Sequence, residues 1–178
     1  LRLLKGDRGI GHVRYSTTGS SLVKNAQPLF VDYLGNSLAV AHNGNLVNSS
    51  SLRKELERTG SIFQTTCDSE VIVHLMARSS SRNVVAKLKS ALKKIKGAYS
   101  LVLLTEKELI GVRDPEGFRP LCLGKKGDSW CLASETCAFD LIEAKFVREV
   151  EPGEIVVVTD KGLTSTRFAP KAKRNSCC

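Results

Sequence analysis

The hydrophobic pattern of the chain changes period twice. From Leu29 to Tyr33 and again from Leu38 through Ala41 the residues read as strands, joined by a Leu34-Gly35-Asn36 turn into an antiparallel hairpin. The second strand is apolar until His42-Asn43-Gly44-Asn45, where Asn-Gly predicts a tight turn. Upstream, Gly9-Ile10-Gly11-His12-Val13-Arg14-Tyr15-Ser16 reads as a short strand entering a polar turn. Helical spacing then takes over. Asn48-Ser49-Ser50-Ser51 offers N-caps for a helix carrying Leu52 and Leu56 and stopped by Gly60. Residues 69–78 form a second helix with Val71, Ile72, Leu75 and Met76 inward and Asp68 placed as its N-cap, and residues 82–96 form a third. From Ala98 the spacing returns to that of strands. Segments 99–104, 108–113, 121–124 and 130–134 are separated by Gly, Pro, Asp and Lys turns and are expected to pair as a second antiparallel sheet. A short helix at 137–144 and strands at 147–150, 154–158 and 162–166 complete the domain. Strands, helices and strands again predict an α+β protein: two antiparallel β-sheets stacked on each other, with helices on the outer faces.

Composition adds little to this picture, and charge adds more. The chain has 178 residues, 42% hydrophobic and 25% charged, enough for one domain with a substantial core. Its net charge of +9 raises nucleic acid as a partner. Six of the basic residues (Arg82, Lys87, Lys89, Lys93, Lys94, Lys96) lie on the third helix opposite its apolar stripe, as a solvated face does, with no interleaved aromatics for base stacking. No apolar run reaches the roughly 18 to 20 residues that span a bilayer. The six cysteines show no CxxC spacing, which suits free thiols in a reducing compartment.

Four short stretches could carry chemistry: Arg14-Tyr15-Ser16-Thr17-Thr18-Gly19, Asn25-Ala26-Gln27-Pro28, His42-Asn43-Gly44-Asn45 and Cys67-Asp68-Ser69-Glu70. An Asn amide beside a Gly N–H makes a pair of donors for an oxyanion. Brought together with them, Arg14 and Thr17 would suit the α-carboxylate of a free amino acid and Asp68 its α-ammonium. Each residue also has a purely structural reading: Asn43-Gly44 as a hairpin turn, Arg14 as a surface arginine, Thr17 as a turn former, Asp68 as a helix cap. His12, His42 and His74 read as core or surface histidines, and Arg113 and Arg119 as residues that fix a turn or a domain interface.

These stretches, in this order, resemble the class II glutamine amidotransferase domain of the N-terminal nucleophile hydrolases. Gly97-Ala98-Tyr99-Ser100, Arg113-Asp114-Pro115-Glu116-Gly117-Phe118-Arg119-Pro120-Leu121, Ala133-Ser134-Glu135-Thr136 and Glu151-Pro152-Gly153-Glu154 extend the resemblance toward the amidophosphoribosyltransferase family. The resemblance implies an αββα sandwich in which an N-terminal cysteine, with its own α-amino group as base, hydrolyses glutamine. Ammonia would then pass to a second domain that uses phosphoribosyl pyrophosphate and Mg2+ to make phosphoribosylamine, the committed step of purine synthesis. It assigns Asn43 and Gly44 to the oxyanion hole, Arg14 and Thr17 to the glutamine carboxylate, and Asp68 with Gly44 to the ammonium group, under a closing loop from Tyr15 to about Asn25. It implies a homo-oligomer, cytoplasmic in bacteria and plastid-targeted in plants. Some members hold an iron-sulfur cluster, for which Cys178 is a candidate ligand.

The sequence departs from that pattern at both ends. Leu1 stands first, without a nucleophile, and the earliest cysteine is the internal Cys67. Residues 1–168 are expected to form the amidotransferase domain lacking its N-terminus, and 169–178 the start of a linker to an absent phosphoribosyltransferase domain. As given, the chain is expected to be an inactive fragment. Two alternatives stand beside this: another class II amidotransferase, such as the hexosamine-forming synthase, and a non-catalytic glutamine-binding scaffold. The first typically has Trp-Ala-Thr-His after its arginine and a His in place of Gln27. Tyr15-Ser16-Thr17 and Gln27 fit the purine enzyme better.

Overall fold

A computed structural model describes residues 6–13, 22–33 and 36–170 of the chain. Its strands are β1 (Leu29–Tyr33), β2 (Asn36–Leu46), β3 (Gly97–Thr105), β4 (Leu109–Arg113), β5 (Cys122–Lys126), β6 (Ser129–Ala133), β7 (Lys145–Glu149), β8 (Glu154–Thr159) and β9 (Gly162–Arg167). Its helices are α1 (Ser49–Arg58), α2 (Ser69–Ala77), α3 (Val84–Leu92) and α4 (Cys137–Leu141).

All described strand pairs are antiparallel. They form a six-stranded sheet of order β1-β2-β3-β4-β8-β9 and a three-stranded sheet of order β6-β5-β7. Alternation along the strands of the large sheet separates two cores. Val40, Leu101, Leu103, Ile110, Val112, Ile155 and Val157 face a helical layer that contributes Leu56, Val71, Ile72, Leu75, Leu88 and Leu92. Val102 and Val156 face the other way and pack with Leu121, Leu132 and Val150 of the small-sheet side. Gly111 admits this contact, because a Cβ there would lie 2.9 Å from both the Leu132 and Val156 side chains. On the outer face of the small sheet, the buried Phe139 of α4 packs against Gly124, where a Cβ would meet its ring at 2.9 Å. The expected α+β sandwich of two antiparallel sheets with helices outside is therefore the observed one.

Two polar clamps hold the sheets in register. Arg113, buried at the end of β4, donates to the carbonyls of Gly117, Arg119 and Val150 and pairs with Glu149 of β7 at 2.8 Å. Asp114 beside it accepts from the backbone N–H groups of Glu116, Phe118 and Arg119, closing the turn that follows β4. The turn-fixing reading of Arg113 is thus the geometry seen. Arg148 of β7 makes two 2.8 Å bonds to Glu154 of β8, whose carboxylate also accepts from Ser165 of β9. Burial pushes Glu154 up, but the bonds from Arg148, Ser165 and the Glu151 backbone outweigh it and leave the carboxyl below its ordinary value.

Several local expectations are corrected. Segments 99–104 and 108–113 do not open a second sheet but continue the first, since β3 pairs with β2 over nine residues from Leu38↔Thr105 to Leu46↔Gly97. Alternation predicts a strand, but only long-range pairing decides its sheet. Residues 9–13 belong to no strand, while Arg14, Tyr15 and Ser16 lie outside the described residues. Asn48 makes no cap bond to α1; its side chain joins the Lys94 carbonyl and the Lys96 N–H instead. The helix of predicted span 82–96 begins at Val84, capped by Asn83, whose side chain accepts from the Ala86 N–H. Cys67, Cys122, Cys131 and Cys137 form no disulfide among the described residues, and Cys177 and Cys178 fall outside them.

Candidate active site

β1 and β2 pair only as far as Leu29↔Val40, so β2 runs on for six residues with one edge uncovered by a strand. The opposite edge stays paired with β3 down to Gly97. The predicted Asn43-Gly44 turn is therefore absent: both residues sit inside β2, opposite Ser100 and Tyr99. Nine residues of ladder hold them extended against the local turn preference.

Gly44 is nevertheless special. Its φ is +141°, and an added Cβ would lie 2.1 Å from the Ala98 carbonyl oxygen and 2.8 Å from Tyr99 Cα. Gly97, with φ +145°, makes the reciprocal approach to the Asn45 carbonyl from β3. Two glycines thus let the strands close where side chains would keep them apart.

The backbone donors on the uncovered edge alternate. The His42 N–H donates to Gln27 Oε1 at 2.7 Å, and the Leu46 N–H donates to Asp68 Oδ2 at 2.9 Å. Gly44 lies between them in the same phase, so its N–H faces the same edge. Its strand neighbour Tyr99 is turned away, with its N–H bonded to Asp114 Oδ2 and its carbonyl accepting from the Asp114 N–H. Two of three successive edge donors are therefore taken by side chains. The Gly44 N–H meets no acceptor among the described residues.

The side chain of Asn43 stands on the face of β2 away from the helices. Its Nδ2 reaches Ser134 Oγ beyond the end of β6 at 3.4 Å, a long bond that leaves the half-buried amide free to take a better acceptor. Asn43 and Gly44 are thus adjacent donors, one from a side chain and one from the backbone.

Asp68 is not the helix cap expected of it. Its backbone is already helical, with φ −65° and ψ −27°, and it makes no side-chain cap bond. Its carboxylate turns toward β2, taking the Leu46 N–H on Oδ2 and lying 3.4 Å from His42 Nδ1 and 3.5 Å from Ser69 Oγ on Oδ1. Burial pushes the Asp68 carboxyl up, but His42 and the Leu46 and Ser69 backbone outweigh it and hold the carboxyl below its ordinary 3.8. A carboxyl depressed in the fold stabilises above its unfolded value and loses that contribution as pH falls through the folded one. Asp68→Asn should therefore flatten the pH dependence of unfolding free energy below about pH 4 in urea titrations. An unchanged acid slope would show that the fold does not hold the Asp68 carboxyl below its unfolded value.

The remaining polar residues of this layer escaped the sequence reading. Gln27 bonds β2 through Oε1 and reaches Ser69 Oγ at 3.4 Å through Nε2. His42 is buried, as the core reading expects, yet its Nδ1 lies 3.1 Å from Ser69 Oγ. Asn25, also buried, exchanges two bonds with Thr66 and fixes the segment before α2. His74 stacks on Phe63 near Glu70, and burial lowers its pKa against the raising effect of that carboxylate. Asn25, Gln27, His42, Ser69 and Glu70 all lie in the four polar stretches of the sequence, and that placement is the only local signal of these roles.

Arg14 and Thr17 lie outside the described residues, as do most of the expected closing loop and Cys178. Among the described residues no three His, Cys, Asp or Glu side chains gather to hold a metal ion. No helix among the described residues is long and apolar enough to cross a membrane.

Residues 12–140 match the family model described as "Glutamine amidotransferase domain". The chain is 48% identical over 178 residues to an amidophosphoribosyltransferase of Bacillus subtilis, covering 99% of this chain and 37% of that protein. It is 50% identical over 175 residues to the chloroplastic amidophosphoribosyltransferase 2 of Arabidopsis thaliana, covering 98% of this chain and 31% of the other. The solved glutamine phosphoribosylpyrophosphate amidotransferase of B. subtilis, complexed with ADP and GMP, superposes with a TM-score of 0.88 at 47% identity. That match covers 93% of this chain and 36% of the solved one. The chain thus spans about a third of the length of the relatives it matches.

Proposed function

We propose, for a chain that belongs to the glutamine amidotransferase domain family, that it serves as the glutaminase domain of an amidophosphoribosyltransferase. In this reading it releases ammonia from glutamine for the synthesis of phosphoribosylamine from phosphoribosyl pyrophosphate. The observation that carries it is the pair of donors at Asn43 and Gly44. A glutamine amide attacked by a nucleophile places negative charge on its oxygen, and an N–H already aimed at an open strand edge meets that charge without reorganising. The identities near 50% to proteins of that name favour this reading over a hexosamine-forming synthase or a scaffold domain.

The remaining roles follow from the chemistry of a free amino acid. Asp68 would take the α-ammonium: its ionised carboxylate is an acceptor of the right charge, already oriented by the Leu46 N–H, the His42 ring and Ser69. Arg14 and Thr17 would take the α-carboxylate. The nucleophile's role is assigned to none of these 178 residues. Phosphoribosyl pyrophosphate and its Mg2+ belong to further parts of the enzyme, which we expect to act as a homo-oligomer, and Cys178 is the candidate ligand of any iron-sulfur cluster.

The test has two arms. The purified 178-residue chain releases no glutamate from glutamine, whereas the full-length protein converts glutamine and phosphoribosyl pyrophosphate to glutamate and pyrophosphate. Glutamate release by the chain alone, or none from the full-length protein, would contradict the proposal.

A further inference from the structure

We propose that His42 is a positioning residue for glutamine, acting through Asp68: its ring fixes the carboxylate that receives the α-ammonium, and its main chain fixes the strand edge beside the oxyanion donors. This rests on the glutaminase reading above and deepens it. His42 is tied at two points. Its N–H is held by Gln27 Oε1 at 2.7 Å, and its Nδ1 sits 3.1 Å from Ser69 Oγ and 3.4 Å from Asp68 Oδ1. Gln27 Nε2 and Ser69 Oγ, 3.4 Å apart, close the circuit. The network therefore joins the segment before β1, the edge of β2 and the first turn of α2, and it ends on Leu46, two residues past Gly44.

The ring chemistry sets the direction of the effect. A carboxylate only accepts, so the ring form that bonds Asp68 is the one with its proton on Nδ1, and that form is assigned to His42. Nε2 is then buried without a hydrogen-bond partner, on the same face of the large sheet as the similarly unpartnered Tyr99 hydroxyl. Burial and the Asp114 charge hold that hydroxyl protonated. With nothing holding Nε2, the ring is oriented from its Nδ1 side, by Ser69 and Asp68. The other charged groups of this layer are engaged elsewhere. Arg53 of α1 donates to the Thr65 and Cys67 carbonyls, and Glu70 accepts from the Gln64 and Thr65 backbone beside His74. Among the described residues His42 is the one cationic-capable side chain in contact with the Asp68 carboxylate.

An ammonium group binds the ionised carboxylate, so whatever favours ionisation of Asp68 extends glutamine binding to lower pH. In the full-length enzyme, His42→Ala should raise the KM for glutamine about 10-fold, with kcat at saturating glutamine and ammonia-dependent synthesis little changed. The acid limb of the pH profile of kcat/KM for glutamine should move to higher pH. His42→Asn, which places an amide donor near the Nδ1 position, should recover most of the KM. A proportional loss of glutamine- and ammonia-dependent activity, or an unmoved acid limb, would overturn the proposal. Asp68→Asn separates the two levels. If it leaves the KM for glutamine unchanged, the ammonium role of Asp68 fails and this inference with it; if it raises that KM while His42→Ala does not, only the role of His42 fails.

Discussion

Replacing Asn43 by alanine in the full-length enzyme lowers glutamine-dependent turnover by roughly 10²- to 10³-fold and leaves ammonia-dependent synthesis in place. The size is that of one preorganised donor to an oxyanion. The separation of the two activities follows because ammonia supplied from outside bypasses hydrolysis. The fold should tolerate the change well. Asn43 is only half-buried, and its one side-chain hydrogen bond among the described residues, to Ser134 at 3.4 Å, is too long to contribute much. Steady-state assays with glutamine and with ammonium salts give the comparison. Equal loss of both activities would make Asn43 a structural residue, and retention of both would remove it from the oxyanion hole.

Gly44→Ala should act on the fold before it acts on chemistry. The new methyl group would fall 2.1 Å from the Ala98 carbonyl oxygen, a backbone atom in the neighbouring strand, so relief requires separating β2 from β3. The φ of +141° adds its own penalty for any residue with a Cβ. Together these destabilise by about 3 to 5 kcal/mol, a large share of the stability of an ordinary domain. For a domain of this size that lowers the midpoint of thermal unfolding by on the order of 10 °C. A melting temperature within about 2 °C of the parent would mean that the strands can part cheaply there.

The contrast between these two neighbours shows what a sequence makes legible here. The helices were readable because their information is local: Leu52 and Leu56, or Val71, Ile72, Leu75 and Met76, recur at helical spacing and turn one face to the core. The layered α+β class followed from the order of the elements. Where β3 and β4 belong did not follow, because β3 joins β2 across three intervening helices and β4 is carried with it. Asn43-Gly44 reads as a pair of donors in a turn, and the structure replaces that turn with extended strand. Its turn preference is real, but a ladder running to Leu46↔Gly97 overrides it. Asp68 shows the same limit. An aspartate one residue before a helix looks like a cap, and only the fold reveals a partner at Leu46, 22 positions away. The Gln27, His42 and Ser69 network was harder still, since its links span 15, 27 and 42 residues and its members have no shared spacing.

The early end of β1 has a consequence for association as well as chemistry. A stretch of strand whose outward amides lack a neighbour is a template onto which another chain can pair. Here Gln27 and Asp68 occupy the amides of His42 and Leu46 with side-chain oxygens, so among the described residues the free edge shrinks to the position at Gly44. One open amide admits a small molecule's oxygen but not the backbone of a second strand. The same two side chains that frame the site thereby keep it from becoming a seam for aggregation.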